Sequence, residues 1–569
     1  MRALSVFLLV VHAAQAAPDR PSLAIVGATV VDPGGPTTPD ATVLVVGNRI
    51  EAVGPSSRVK VPAGATRLDA KGAFVVPGLV DAHVHFFQSG GLYTRPDVFD
   101  LRGVRPYAEE QRLIREHLDD TLARFLRNGV TSVADVGGAF WGFEVRDRAR
   151  DNPRAPRVAM TGPLISSVTR PQLDLGDPPI IQCGTPDEAR ALVRREAERK
   201  PDYIKIWFIV SPDQPIAKNR AVVAAAIQEA HHLGLRVAVH ATELATARAA
   251  LESSADILVH SVEDADVDDS FLRLARERKA VYIPTLTVYS GYRRTLQQKL
   301  DLTFEELTRG DPWVIGTLLD LAHIPAERLP ERMRQGREHP QPLELNPTMG
   351  KNLLRVLRAG ITVAMGTDSG NIGTLHGVGV LREMAAMEEA GMKPLEVLQA
   401  ATQGGARVMG REKELGRVAP GALADLLVLE ADPRAGTRAF SRIRRVVKDG
   451  QVIDPETVIP DGPEALSQRQ LNAYNVRNLE AFLAPYAEDV EIRDLDGKVV
   501  SKGREALRTR YGALFAQSPS LHCELRGRVT AGSWVVDEER VTGFDPSVVH
   551  VLAMYEVVNG RIARVRFMK

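Results

Sequence analysis

At 569 residues the chain is too long for one compact core, and 44% hydrophobic with 25% charged residues is the composition of ordinary folded protein in several units. Its 72 basic residues balance 72 acidic ones, which leaves no cationic field for nucleic acid and no acidic tail, so a small-molecule substrate is the expected partner. The two cysteines, Cys183 and Cys523, fall in different predicted units and imply no disulfide framework.

The first residues carry a positive charge at Arg2 and an apolar run to Val11 that is too short to span a bilayer, followed by Ala14-Gln15-Ala16. This predicts a cleavable export signal over residues 1–16 and a periplasmic or secreted protein. A buried first strand is the alternative, and the linker-like Ala17-Pro-Asp-Arg-Pro21 speaks against it. With no cysteine at the cleavage site and no later transmembrane-length run, no membrane anchor is expected.

Short β runs with turns occupy Leu23–Gly27, Thr42–Val46 and Gly47–Val53, and a matching set returns at Ala424–Leu429 and Ile443–Val452. Neither half can close a core alone, so one composite β-sandwich is predicted from residues 22–76 and 410–457. Between them, over residues 77–409, buried strand-like runs alternate with helical patterns, the mark of parallel strands covered by helices. The predicted strands are Gly78–His85, Thr131–Val136, Arg157–Thr161, Tyr203–Phe208, Arg236–His240, Ile257–His260, Val281–Leu286 and Ile361–Thr367. Eight such strands make an α/β (β/α)8 TIM barrel. Helices are predicted at Asn219–His232, Ala245–Ser253 and Met349–Ala359, with Gly360 as the C-cap of the last. Ser290–Pro347 exceeds a simple connection and reads either as a helical excursion over the barrel mouth or as a peripheral insertion. After Pro460-Asp-Gly-Pro463 a separate α+β domain is predicted over 464–569. It opens with one helix, Glu464–Leu483, followed by Asp489–Arg493, a helix near Arg504–Phe515 and strands from Leu521 to Met568.

Catalytic groups in a parallel barrel come from the C-terminal ends of its strands. Here strand one ends in His83-Val-His85, whose period-two spacing puts both imidazoles on one face. Strand four carries Lys205, strand five ends at His240, strand six at His260 and strand eight at Asp368. Six ligand-type residues on five strands point to metal, because an isolated buried lysine, aspartate and imidazoles in one barrel mouth are costly without a partner.

These residues resemble the amidohydrolase superfamily, and within it the imidazolonepropionase-like group that includes binuclear zinc dipeptidases; the likeness spans about Ser22 to Ile453. The resemblance implies two divalent metal ions, zinc being the expected element, with His83 and His85 on the more buried one, His240 and His260 on the second, and a carbamylated Lys205 bridging both. It also implies that Asp368 touches metal and bridging water, so that hydroxide attacks an amide or peptide C–N bond while Asp368 passes the proton to the leaving amine. His376, in Gly373-Thr-Leu-His-Gly377, is a candidate substrate contact by the same likeness, with a solvated loop histidine as the alternative. Tyr289, after strand seven, is a second. Imidazolonepropionase itself uses one metal and no bridging lysine, so Lys205 and the export signal argue against that activity. The final domain resembles the SnoaL-like members of the NTF2-like superfamily, an α+β cone, over Arg469–Asp489 and Gly503–Leu507. Its inward polar candidates Asp489, His522 and Glu524 form no recognisable catalytic set, which favours an accessory or dimerising role and a homo-oligomer.

Two other readings stand beside the amide hydrolase: a lactone or cyclic-amide hydrolase on the same metals, and a non-catalytic small-molecule binding protein working through its cone. Cutting the chain after Pro460 is expected to leave a folded, active barrel.

Overall fold

The computed structural model describes residues 22–544 and 547–568. The expected export signal and its cleavage site lie outside the described residues. No helix among them is long and apolar enough to cross a membrane.

The barrel strands are Leu79–Val84, Val130–Asp135, Arg157–Met160, Ile204–Trp207, Val237–His240, Ile257–Val259, Val281–Ile283 and Thr362–Val363, all pairing in parallel. Every residue of the first two is buried, as strands covered on both faces must be. The third run breaks at Gly162-Pro163, where proline can donate no ladder hydrogen bond. Arg157–Met160 pairs with the second strand, and the three-residue continuation Leu164–Ser166 pairs with the fourth. The eighth run is tied to the first by Ala82 N–H to Met365 O (2.9 Å), Asp368 N–H to His83 O (2.7 Å) and His85 N–H to Ser369 O (2.8 Å). That approach needs Gly366, since a Cβ there would lie 2.7 Å from the Cβ of His83. Helices Ile216–His232, Leu244–Glu252 and Pro347–Arg358 cover the strands. Thr185 and Glu188 form a reciprocal capping box that starts Pro186–Ala197.

Strands from both ends of the barrel segment lie in one eight-stranded sheet. Phe74–Pro77 pairs with Leu426–Leu429, and Ser22–Val30 pairs on one side with Thr38–Val46 and on the other with Thr66–Asp69 and Phe74–Pro77. Ile25, Val43 and Val75 share one buried cluster with Leu426, Val428 and Val447. The run predicted as Ile443–Val452 is a hairpin, Ile443–Lys448 and Gln451–Ile453, turned by Asp449-Gly450 with both φ values positive.

Residues 288–338 form the helices Val288–Leu296, Phe304–Arg309, Pro312–Leu319 and Glu331–Glu338. Asp311 caps the third through Trp313 N–H and Val314 N–H, with Pro312 at its first position. The C-terminal domain packs three helices on a six-stranded sheet. Its opening helix is not continuous to Leu483 as expected. It stops at Asn475, because Arg477 takes a φ of +56° and Asn478 caps a new helix, Leu479–Leu483. Phe482, Tyr486, Tyr511 and Phe515 fill the cone, with Phe482 and Tyr511 ring centroids 4.5 Å apart.

The two parts share a buried cluster that the sequence did not suggest. Leu466 and Leu471 of the C-terminal domain share a buried cluster with Ile315 and Leu318 of the inserted helices and with Tyr93 and Phe99 beside the barrel mouth. Arg469 donates to Leu307 O and Gly310 O at 3.0 Å each, and Asn472 donates to Pro312 O at 2.7 Å. Ending the chain at Pro460 would expose Ile315 and Leu318, at about 1.5–3 kcal/mol each, a sum that reaches the lower end of the about 5–15 kcal/mol that holds a domain folded. A chain ending at Pro460 is therefore expected to lose its helical cover: thermal unfolding should begin well below that of the full chain, and kcat/KM should fall at least tenfold. Unchanged melting and turnover in that truncation would show the cover to be self-supporting.

One buried acid makes the C-terminal domain pH-sensitive. Glu539, buried in the cone and accepting from Tyr555 O–H at 3.0 Å, has its carboxyl pushed up to about 7, first by burial and then by the charge of Asp537. The protonated form is the one the fold favours. Its contribution is complete below the unfolded value of 4.5 and is lost as pH rises through about 7. Melting of this domain should fall from about pH 5 to about pH 8, and Glu539→Gln should flatten that slope; an unchanged slope would place the titration elsewhere.

Candidate metal centre

The strand ends converge as the alternation of the sequence requires. His83 Nε2 and His85 Nε2 lie 3.2 Å apart, and Asp368 Oδ1 lies 3.3 Å from the first and 3.1 Å from the second. Three donor atoms in a triangle of these edges fit one divalent ion, whose ligands at about 2.0–2.2 Å sit roughly 3 Å apart. His83, His85 and Asp368 are the group among the described residues that meets that spacing. His85 Nδ1 faces Gly137 O at 2.7 Å, so Nδ1 carries the proton and the Nε2 lone pair is directed at the site.

The second group is adjacent. His240 and His260 have ring centroids 4.3 Å apart, and His260 lies 5.0 Å from His83. His260 Nδ1 is 2.7 Å from Thr285 Oγ1 and 4.0 Å from Asp368 Oδ2. Lys205 is 1% exposed and its Nζ has no hydrogen-bond partner, a cost that a ligand would remove. Burial brings its amine down to about 7, and burial with neighbouring positive charge holds His83, His240 and His260 well below the usual imidazole range. Neutral amine and neutral imidazoles are the forms with lone pairs to give.

The site is built on strained backbone. His260, Thr285 and Asp368, at the ends of strands six, seven and eight, take φ values of +77°, +43° and +58°. Left-handed conformations cost about 1–3 kcal/mol each for such residues, and their concentration here is what a functional site tolerates. Glu383 steadies one of them by accepting from Leu286 N–H and Thr287 N–H at 2.7 and 3.0 Å.

Several supporting groups escaped the sequence reading. Asp81 accepts from His83 N–H, Thr367 N–H and Thr367 O–H, and so locks strand one to strand eight. Asp135 accepts from Phe86 N–H and Gly137 N–H. Asn371 donates to Asp368 Oδ1 at 2.7 Å, while its own oxygen accepts from Arg95 at 2.7 Å and Tyr292 O–H at 2.6 Å. A carboxylate inside an apolar strand was the available signal for Asp81 and Asp135. Asn371 and Arg95, 276 residues apart, carried none.

The six metal-type residues and Tyr289 line one cavity of about 680 Å³. Phe87, Ile180 and Trp207 supply an apolar wall, and the inserted helices contribute Tyr289, Tyr292 and Arg293 from Val288–Leu296 and Arg332 from Glu331–Glu338. His376 is placed elsewhere. It stacks on Phe86, lies edge-on to Phe125, and its Nε2 is 3.1 Å from His85 O, so it buttresses the metal-site strand from behind instead of facing the cavity. Of the C-terminal candidates, Asp489 is exposed, and His522 and Glu524 face the inserted helices rather than the cone interior.

The amidohydrolase family profile matches residues 74–453, and a SnoaL-like domain profile matches residues 467–565. The chain belongs to the amidohydrolase family. Imidazolonepropionase of Streptomyces griseus subsp. griseus is 28% identical over 425 residues, covering 69% of this chain and 86% of that protein. Ochratoxinase of Aspergillus niger is 24% identical over 485 residues, covering 79% and 90%. Among solved structures, a Xaa-Pro dipeptidase with bound methionine in its active site shares the fold with a TM-score of 0.58 at 21% identity, over 76% of this chain and 100% of that one. The protein is a hydrolase acting on carbon–nitrogen bonds, an α/β barrel enzyme with a C-terminal SnoaL-like domain.

Proposed function

We propose that this is an exported, metal-dependent hydrolase that cleaves an amide or peptide bond in a small-molecule substrate, with dipeptides and N-acyl amino acids as the first class to test. The observation that carries the reading is the triangle of His83 Nε2, His85 Nε2 and Asp368 Oδ1 opening into the aromatic-walled cavity. His83, His85, His240, His260, Asp368 and a carbamylated Lys205 would hold two divalent ions, zinc being the expected element. When bound, such ions supply an activated water and polarise the scissile carbonyl.

The chain's own groups account for the remaining work. Asp368 Oδ1 is fixed by Asn371, which leaves Oδ2 to take a proton and return it to the leaving nitrogen. The tautomer of His85 is set by Gly137 O. The neutral amine of Lys205 can add to carbon dioxide, releasing one proton and leaving an anionic carbamate that relieves its buried, partnerless state. The inserted helices supply Tyr289, Tyr292, Arg293 and Arg332 to the cavity wall, where they can contact a substrate. Export is supported by the charged start, short apolar run and Ala14-Gln15-Ala16, and it places the substrate outside the cytoplasm.

Turnover by metal-loaded protein against dipeptides, N-acyl amino acids and lactones is the test, with elemental analysis alongside. Two ions per chain and amide cleavage abolished by chelation are expected. Hydrolysis confined to lactones would replace this reading with its runner-up, and binding without turnover would remove both.

A further inference from the structure

The inserted helix Val288–Leu296 turns one face to the catalytic cavity, since Tyr289, Tyr292, Arg293 and Leu296, at helical spacing, all line it. The same helix rests on the loop that follows Asp368. Gly291 and Gly373 meet there backbone to backbone: a Cβ on Gly373, whose φ is +78°, would lie 2.6 Å from Gly291 O, and one on Gly291 would lie 2.8 Å from Ile372 O. Only residues without side chains let helix and loop come this close.

A chain of hydrogen bonds crosses that contact. Tyr292 O–H donates to Asn371 Oδ1 at 2.6 Å, and Arg95 Nη1 donates to the same oxygen at 2.7 Å. Asn371 Nδ2 in turn donates to Asp368 Oδ1 at 2.7 Å and to Asp368 O at 3.1 Å. Arg95 is held from behind, its Nε and Nη2 donating to the two oxygens of Asp97 at 2.7 Å each, and the Asp97 side chain is 2% exposed. Chemistry dictates the direction of this chain. A guanidinium can only donate and an ionised carboxylate can only accept, so the amide between them has one orientation, oxygen toward Arg95 and nitrogen toward Asp368. Asn371 is buried, so water does not compete for these bonds.

We propose that Tyr292 and Arg95 are positioning residues: acting through the Asn371 amide, they fix the rotation of the Asp368 carboxylate that keeps Oδ1 beside the imidazole nitrogens of His83 and His85. Arg95, clamped by Asp97, is the fixed point, and Tyr292 is the link to the inserted helix. That helix therefore serves the catalytic centre as well as its wall. The inference rests on the reading of Asp368 as a metal ligand.

The test compares full-length wild type, Tyr292→Phe, Asn371→Ala and the double variant. Zinc affinity is measured without substrate, by competition with a chromophoric chelator, and kcat and KM on a dipeptide that wild type cleaves. Tyr292→Phe is expected to bind zinc about 10-fold more weakly and Asn371→Ala up to about 100-fold, the range usual for groups that orient a ligand, with kcat lowered and KM nearly unchanged. The double variant should match Asn371→Ala, because Tyr292 has nothing to act on once the amide is gone. Additive losses in the double variant would overturn the proposal. So would a raised KM with zinc affinity intact, which would make Tyr292 a substrate contact. Tyr292→Phe removes one oxygen and keeps the ring, so it decides the matter if Asn371→Ala misfolds. A wild type that binds no zinc would overturn the reading of the metal centre itself, whereas equal zinc affinity in all four proteins would overturn the positioning role alone.

Discussion

Asp368→Asn is expected to keep most of its metal and lose turnover by about 10²–10⁴-fold, the range carried by a positioned acid or base. The amide is nearly isosteric with the carboxylate, and its oxygen can stay beside His83 and His85, 3.3 and 3.1 Å away in the wild type. It cannot accept a proton on the second position and hand it on. Elemental analysis paired with kcat separates this from simple loss of the centre: activity within a few-fold of wild type would move proton transfer to another group, and loss of all metal would make Asp368 chiefly a ligand.

Lys205→Ala should be at least as severe, exceeding the 10–100-fold cost usual for removing a group that merely supports a ligand. The lysine is 1% exposed, has no partner for its nitrogen and lies among His83, His240 and His260. Removing it leaves a void, and short carboxylic acids such as propionate are expected to restore part of the turnover by placing oxygens in that space. Metal content should fall with the mutation and recover with the acid. Normal activity in the variant would reduce Lys205 to packing.

The barrel strands were legible because burial on both faces forces continuous apolar runs, and because five of the eight runs carry ligand-type polar residues that have no use in a core. His83-Val-His85 carried the most information: period-two alternation fixes the face of both rings without any tertiary knowledge. The two three-residue strands Leu164–Ser166 and Ile180–Gln182 were invisible, since three residues show no periodicity and proline interrupts the first. His376 was misplaced for a different reason. Its local motif says that a loop histidine follows Asp368, but which side of strand one it meets depends on Gly370, whose φ of +105° brings the loop so close that a Cβ would lie 2.4 Å from His85 O. The shared core of insertion and C-terminal domain was hidden as well, because Ile315 and Leu471 meet only through long-range packing, and each alone looks like the apolar face of an ordinary surface helix.

The composite sheet also dictates an order of events during synthesis. Phe74–Pro77 emerges from the ribosome about 350 residues before its partner Leu426–Leu429, so the early strands wait with one edge unpaired until nearly the whole barrel has been made. Pairings this remote slow the search for the native state. Refolding from denaturant should therefore be slow, concentration-sensitive and assisted by chaperones that shield extended apolar segments, whereas the C-terminal hairpins, whose partners lie close along the chain, should regain structure early.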